Sequence, residues 1–74
     1  MGSRRITADD VRATTFRSVR RGYAHDPVDD LLDAAVAEIE AGRSPAHLVP
    51  ASLPVAWRGY RPDEVDALLS RLLE

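Results

Sequence analysis

Apolar residues recur at helical spacing in two stretches of the chain. In the first stretch they lie at positions i, i+3, i+4, i+7, i+8 and i+11, and the second stretch repeats the first five of these positions. Such spacings place the side chains along one face of an α-helix. The pattern therefore predicts two amphipathic helices. The residues expected to pair them are Val28, Leu31, Leu32, Ala35, Val36 and Ile39 in the first and Val65, Leu68, Leu69, Leu72 and Leu73 in the second.

The two stretches belong to an internal repeat. Residues 21–32 read RGYAHDPVDDLL and residues 58–69 read RGYRPDEVDALL, so eight of twelve positions are identical at a constant offset of 37 residues. The offset extends upstream, where Thr7 and Phe16 correspond to Ser44 and Leu53. A repeat of this kind defines the architecture of a chain. We therefore predict one domain, residues 1–74, built from a first copy at about 6–42 and a second at about 43–74.

Each copy is predicted to contain the same parts in the same order. A hydroxyl residue, Thr7 or Ser44, opens a short helical turn, and Thr7 is spaced from Asp10 as in a capping box. A polar loop follows and ends in Arg-Gly-Tyr. The long helix comes last, and in the first copy it is expected to begin near Asp26 and to stop at Gly42.

The glycine and tyrosine of the loop are predicted to build a structural turn in each copy. Because glycine has no Cβ, its recurrence before tyrosine indicates a backbone position with positive φ or with close approach to another backbone. The tyrosines are expected to be half-buried, with the ring on a helix and the hydroxyl at the surface. The residues concerned are Gly22 and Tyr23 in the first copy and Gly59 and Tyr60 in the second.

These elements predict an all-α fold, a small helical domain of two repeats. Neither long helix is stable alone at this length, so each apolar face must be covered. Since the two faces are near copies, the helices are expected to pair, within one chain or between two chains as in a coiled coil. A chain of 74 residues buries a marginal core, and with no cysteine it has no disulfide to stabilise it. We therefore expect a homodimer.

Basic residues are concentrated in the two predicted loops, whereas the predicted helices begin with acidic residues. All ten basic residues are arginine, and the net charge is −2. Basic loops on acidic helices suit an anionic surface at the loop end. The alternative is that these charges form solvated faces with Arg–Asp pairs between them. The candidate residues that this charge pattern indicates for binding a membrane or a partner are Arg17, Arg20, Arg21, Arg58 and Arg61.

Trp57 is open to two interpretations. It is the one tryptophan in a chain with one phenylalanine and two tyrosines, and a domain so poor in aromatic residues commonly places its tryptophan in the core. Alternatively, Trp57 is an exposed contact residue of the second loop.

The sequence argues against catalysis, cofactors and nucleic-acid binding. His25 and His47 occupy non-equivalent positions in the two copies, and no metal-ligand spacing, nucleophile–base set or glycine-rich phosphate loop is present. We therefore predict a non-enzymatic protein with no metal and no cofactor. A negative net charge and acidic helix starts oppose nucleic-acid binding. No apolar stretch approaches the ~20 residues of a membrane span, so we expect a cytoplasmic protein whose membrane contact is at most peripheral.

At these residues the chain resembles the DivIVA family, bacterial proteins that organise cell poles and division sites. The resemblance covers roughly residues 6–40 and 53–73, and the chain carries two copies of a unit that well-known members carry once. The matching segments are Ile6-Thr7-Ala8-Asp9-Asp10-Val11, Phe16, Arg21-Gly22-Tyr23 and Val28-Asp29-Asp30-Leu31-Leu32 in the first copy, and Arg58-Gly59-Tyr60 and Asp63-Glu64-Val65-Asp66-Ala67-Leu68-Leu69 in the second.

The resemblance implies a membrane contact at the loops. In the family the helices pair as a parallel dimer, and an exposed apolar residue followed by arginine before Gly-Tyr binds membrane. By position these pairs are Arg20–Arg21 and Trp57–Arg58. The second pair fits, because tryptophan favours the bilayer interface and arginine binds phosphate. The first pair departs from the pattern, since Arg20 replaces the apolar residue and leaves electrostatic attraction alone.

The expected function is therefore a DivIVA-like adaptor or scaffold module associated with cell division or polar growth. It would recognise an anionic lipid surface or a division-site protein through its arginine-rich loops. The alternative is a pure protein–protein interaction module that binds no membrane.

Overall fold

The computed structural model describes residues 6–73. Along this part of the chain the elements are α1 (Ala8–Ala13), β1 (Ser18–Tyr23), α2 (His25–Glu40), a short 3-10 helix (Ala46–Leu48), β2 (Val55–Tyr60) and α3 (Pro62–Leu72). The two strands form a two-stranded sheet. The protein is therefore a mixture of helices and strands, and the predicted all-α fold is wrong.

The strands occupy the two segments that the sequence predicts as polar loops. These segments read SVRRGY and VAWRGY, and neither shows the regular alternation of apolar and polar residues that marks a half-buried strand. They form strands because the backbone N–H and C=O groups of each loop need partners, and the equivalent loop of the other copy supplies them. A pairing between two distant loops leaves no local sequence pattern, which is why the prediction failed here.

The two copies fold alike at the offset of 37 residues. β2 and α3 begin 37 positions after β1 and α2, and both strands show the same order of exposed and buried positions. The long helices differ in length, with 16 residues in α2 and 11 in α3. Helix α1 is matched in the second copy only by the short 3-10 helix. The reason lies in the cap, because His47 stands where Asp10 completes the capping box of the first copy.

The strands pair through an irregular register. The partner of Ser18 is Tyr60 and that of Tyr23 is Val55, so the partner number falls as β1 advances, which is the antiparallel sense. Tyr23 also faces Tyr60, which is a pairing of parallel sense. A single regular ladder cannot hold both relations, so the pairing is irregular. The two strands cross at Gly22 and Gly59, where their backbones come into contact.

Reciprocal hydrogen bonds join the backbone just beyond the strands. The N–H of Ala24 donates to the carbonyl of Pro54 at 2.9 Å, and the N–H of Arg61 donates to the carbonyl of Arg17 at 2.8 Å. The two bonds are equivalent under the repeat. Each copy is therefore held by the other, as in a dimer folded from one chain.

Gly22 and Gly59 lie at the crossing point, where the two backbones meet. A Cβ on Gly22 would come 2.5 Å from the carbonyl carbon of Gly59, and one on Gly59 would come 2.6 Å from that of Gly22. Neither glycine has a positive φ, whereas Arg21 has a φ of 55°. The sequence predicted either positive φ or close backbone approach at these glycines, and the structure shows close backbone approach.

The predicted signals at the helix ends are confirmed at two sites and wrong at a third. The Thr7 hydroxyl accepts from the Asp10 N–H at 3.1 Å, and the Asp10 carboxylate accepts from the Thr7 N–H at 3.1 Å, which completes the capping box. Gly42 follows the end of α2 with a φ of 78°, as a glycine stop requires. The α2 helix, however, begins at His25 after Ala24, so Asp26 is not its cap.

The core is made by the apolar faces of α1, α2 and α3 together. Its fully buried side chains include Leu72 of α3, Val28 of α2 and Val65 of α3, and Phe16, Leu53, Tyr23 and Tyr60 pack against it half-buried. The closest backbone packing of α2 is with α1, and that of α3 is with β1. The two long helices thus share a core through their side chains, without the close backbone pairing of a coiled coil. Leu73, predicted as a pairing residue, is 58% exposed because the helix ends at Leu72.

Candidate functional site

Trp57 is a surface residue, which decides between its two interpretations. Its side chain is 68% exposed. The guanidinium carbon of Arg20 lies over the indole ring, 5.6 Å from the centroid, in the geometry of a cation–π contact. Positions 20 and 57 are equivalent in the two copies, so the crossing of the strands brings the two copies of one position together.

The arginines near Trp57 have no acidic partner among residues 6–73. No carboxylate of the described chain lies within 4.0 Å of Arg20, Arg21 or Arg58, and the Cα atoms of Arg20 and Arg58 are paired across the sheet. We call the group Arg20, Arg21, Trp57 and Arg58 the arginine tip. The contact that defines it is the Arg20 guanidinium over an exposed indole, with Arg21 and Arg58 next to these residues in the two strands. A basic group beside an apolar ring suits a ligand with both anionic and apolar parts.

The other two candidate arginines are engaged with helix α3. The N–H of Arg17 donates to the Glu64 carboxylate at 2.8 Å, and the Arg17 guanidinium lies 4.0 Å from the same group. Arg61 lies 3.9 Å from Asp63. The predicted set of six therefore divides into four residues at the arginine tip and two that pair with the acidic start of α3.

Val55 extends the apolar part of the site. It is 61% exposed and lies two residues before Trp57 in β2, and alternate residues of a strand share a face. The sequence analysis did not select Val55, since one valine next to a proline carries no pattern.

The tyrosines of Arg-Gly-Tyr bind the helix of the opposite copy. The Tyr23 hydroxyl donates to the Asp66 carboxylate at 2.9 Å, and the Tyr60 hydroxyl donates to the Asp29 carboxylate at 2.7 Å. We call these two bonds the tyrosine locks. These two partners were not predicted from the sequence, although the identity of the aspartate in both copies was a signal that each has a partner.

The environments of the two tyrosines differ around their rings. The Tyr60 ring lies 5.3 Å from the ring of Phe16 and 4.3 Å from that of His25, both in tilted geometry. Leu53 and Pro62 occupy the positions equivalent to Phe16 and His25, so neither can give Tyr23 the same aromatic contact. His25 is thereby a packing residue of the Tyr60 lock, which agrees with its absence from the second copy.

The locks change the ionisation of both phenols. The hydrogen bond to Asp66 raises the pKa of Tyr23, with burial as a smaller cause. The hydrogen bond to Asp29 raises the pKa of Tyr60 in the same way. In each case the phenolate would face a carboxylate that it can no longer donate to, so the folded protein favours the neutral phenol.

We expect the domain to lose stability in alkali as its tyrosines ionise. The folded-state pKa values lie above the unfolded value of 10.0, so the contribution of the locks is fully present below about pH 10 and is lost as the pH rises through the folded pKa values. The chain has no lysine and no cysteine, so few other groups titrate there. Urea denaturation at about pH 8 and pH 11 measures the loss. The double variant Tyr23→Phe/Tyr60→Phe should be less stable at pH 8 and should lose much less between the two pH values; an equal loss would contradict the assignment.

Further ion pairs hold the first copy together away from the arginine tip. Arg43 binds Glu38 through two nitrogens, at 2.7 Å and 3.0 Å, and this hydrogen bonding lowers the pKa of Glu38. Arg12 of α1 binds Glu40 at the end of α2. These pairs match the alternative interpretation of the charges in this part of the molecule.

The described chain contains neither a clustered set of metal ligands nor a membrane-spanning helix. Within residues 6–73 no group of three or more His, Cys, Asp or Glu side chains is placed to hold a metal ion. Over the same residues no helix is both long enough and apolar enough to span a bilayer. Compared with models of protein families, with curated proteins and with solved structures, the chain gives no significant match.

Proposed function

We propose that the chain is a non-enzymatic, DivIVA-like adaptor that docks on an anionic lipid surface through the arginine tip. The observation that carries the proposal is the 68% exposure of Trp57 beside arginines that no carboxylate of the described chain neutralises. The resemblance of the sequence to the DivIVA family adds the expected setting, which is the cytoplasmic face of the membrane at sites of division or polar growth.

The energies of such a contact suit reversible, peripheral binding. Each basic residue near an anionic surface contributes about 1 kcal/mol, so Arg20, Arg21 and Arg58 together contribute about 3 kcal/mol, or roughly a hundredfold in affinity. Indole favours the interface between headgroups and acyl chains. The arginine tip thus supplies both the long-range attraction and the apolar contact.

The distribution of charge would also orient the molecule on the surface. The chain has 12 acidic and 10 basic residues, so its net charge does not attract it to an anionic membrane. The exposed acidic residues of α2, such as Asp26, Asp30 and Asp33, would be repelled. Docking is therefore favourable only with the arginine tip toward the lipid and the long helices directed away from it.

A second candidate function is docking on an acidic partner protein, such as a division-site protein, without any membrane. The specific observation in its favour is the composition of the arginine tip, since tryptophan and arginine are the residues most enriched in the energetic centres of protein interfaces. The two candidates differ in what the same surface would bind.

Co-sedimentation with vesicles tests the first candidate. We expect binding to vesicles rich in phosphatidylglycerol, weaker binding at higher salt, and none to purely zwitterionic vesicles. Trp57→Ala should weaken the binding about tenfold or more. The matched control is Leu73→Ala, which truncates a side chain of similar exposure, 58%, at the far end of α3 and should bind like wild type.

Two results would count against the proposal. Wild-type protein that fails to sediment with anionic vesicles at low salt would exclude membrane docking and favour the protein partner. Equal losses for Trp57→Ala and Leu73→Ala would show that the membrane contact lies elsewhere on the protein.

A further inference from the structure

The indole of Trp57 has an unusual set of neighbours. Among residues 6–73 the close ring–ring contacts join Tyr60 to Phe16 and to His25, and none includes Trp57. The contact that the structure gives to the indole face is the guanidinium of Arg20. A large exposed ring without aromatic or core packing is free to rotate unless a neighbour restrains it.

Arg20 reaches Trp57 because of how the two copies cross. The two residues hold the same position in β1 and β2, and the Cα of Arg20 is paired with that of Arg58, the residue after Trp57. Arg20 belongs to the first copy and Trp57 to the second, so the contact is made between copies. The contact exists only because the strands cross, so the surface it creates belongs to both copies at once.

The guanidinium of Arg20 can serve two partners simultaneously. A guanidinium can stack by its flat face on an aromatic ring while its N–H donors point outward in the plane of the group. No carboxylate of the described chain lies within 4.0 Å to occupy those donors. A phosphate oxygen can therefore bind the edge of Arg20 while the face of Arg20 supports the indole.

We propose that Arg20 is a positioning residue for Trp57, and that the two side chains form one composite element that engages a lipid headgroup phosphate. This inference rests on the proposed membrane function and deepens it. Arg20 holds the indole toward the bilayer interface and binds the phosphate beside it. Arg20 stands where the family pattern has an apolar residue. In this chain Arg20 therefore contributes to the site by supporting Trp57.

The proposal predicts an energetic coupling between positions 20 and 57. In a double-mutant cycle on phosphatidylglycerol vesicles, Arg20→Ala should weaken binding about tenfold, from about fivefold for the lost charge and at least twofold for the lost stacking. The double variant Arg20→Ala/Trp57→Ala should bind at least twofold more tightly than the product of the two single losses predicts.

Two matched variants separate positioning from charge. Arg58→Ala removes an exposed arginine from the same tip and should cost about fivefold, the effect of charge alone. Arg20→Lys keeps the charge and loses the planar face, so it should weaken binding by twofold or more. Circular dichroism confirms that each variant is folded.

The emission anisotropy of Trp57 in the unbound protein is a readout that a change of charge alone does not alter. Trp57 is the one tryptophan of the chain, so the emission anisotropy reports its mobility directly. We expect lower anisotropy in Arg20→Ala and Arg20→Lys, and the wild-type value in Arg58→Ala.

The outcomes distinguish the inference from the function on which it rests. Equal losses for Arg20→Ala and Arg58→Ala, additive effects in the cycle and unchanged anisotropy would overturn the positioning role while leaving membrane docking intact. Absence of wild-type binding to anionic vesicles would overturn both.

Discussion

Gly22→Ala or Gly59→Ala should remove most of the stability of the domain. A methyl group on Gly22 would lie 2.5 Å from the carbonyl carbon of Gly59, and one on Gly59 would lie 2.6 Å from that of Gly22. Real Cβ atoms do not approach backbone so closely, so the strands would have to separate. Separation disturbs the reciprocal hydrogen bonds and the tyrosine locks at the same time. Overpacking costs about 1–3 kcal/mol even where side chains can move, and here both neighbours are backbone.

The size of the effect follows from the small reserve of stability. The free energy of unfolding of a domain of this length is commonly no more than about 3–5 kcal/mol. The steric clash therefore removes most of it. Thermal unfolding followed by circular dichroism should show a melting temperature lower by about 15 °C or more, or no cooperative transition.

Gly42→Ala is the matched control for these variants. Gly42 has a φ of 78° and open space around the position of a Cβ, so alanine meets backbone strain without collision. The expected cost is about 1–2 kcal/mol, with a cooperative transition retained. If Gly22→Ala were no more harmful than Gly42→Ala, the crossing of the two backbones would be refuted.

Separate peptides of residues 1–42 and 43–74 should each be unfolded and should fold together when mixed. Each strand finds its backbone partners in the other copy, each tyrosine lock joins both copies, and the core draws on α2 and α3 together. A helix of 16 or 11 residues is marginal in water by itself.

Circular dichroism of each peptide alone and of the equimolar mixture measures this. We expect little helix in either peptide and a concentration-dependent gain in the mixture, since association replaces the covalent link. The mixture made with a Gly22→Ala first peptide is the control and should show no gain. A peptide that is well folded and monomeric by itself would contradict the internal dimer.

The sequence predicted most of the features that depend on neighbours in the chain, with the Asp26 cap as an exception. The capping box of Thr7 and Asp10 and the stop at Gly42 are local signals, since their partners lie within a few residues. The apolar spacing located both long helices for a similar reason, because a helix repeats its pattern every few residues. The prediction that Leu73 pairs the helices was wrong, since periodicity does not show where a helix ends.

Most of the features that the sequence did not predict join the two copies. The strands, the locks from Tyr23 to Asp66 and from Tyr60 to Asp29, and the Arg20–Trp57 contact each connect residues far apart in the chain. The arginines of the site were predicted from their charge and their place in the loops, and Trp57 from the resemblance to the DivIVA family. Which of these arginines have an acidic partner depends on where the acidic side chains of α3 lie. Those positions are determined only when the chain folds.

The crossing of Gly22 over Gly59 also sets limits on how a duplicated unit can change. At the crossing, a substitution in one copy collides with the other, so neither copy can vary there independently. Position 20 and its counterpart, position 57, lie on the outside of the same crossing and are under no such constraint. One copy there carries arginine and the other carries tryptophan. The two copies thus present a surface of two unlike halves, which a symmetric pair of identical chains could not present.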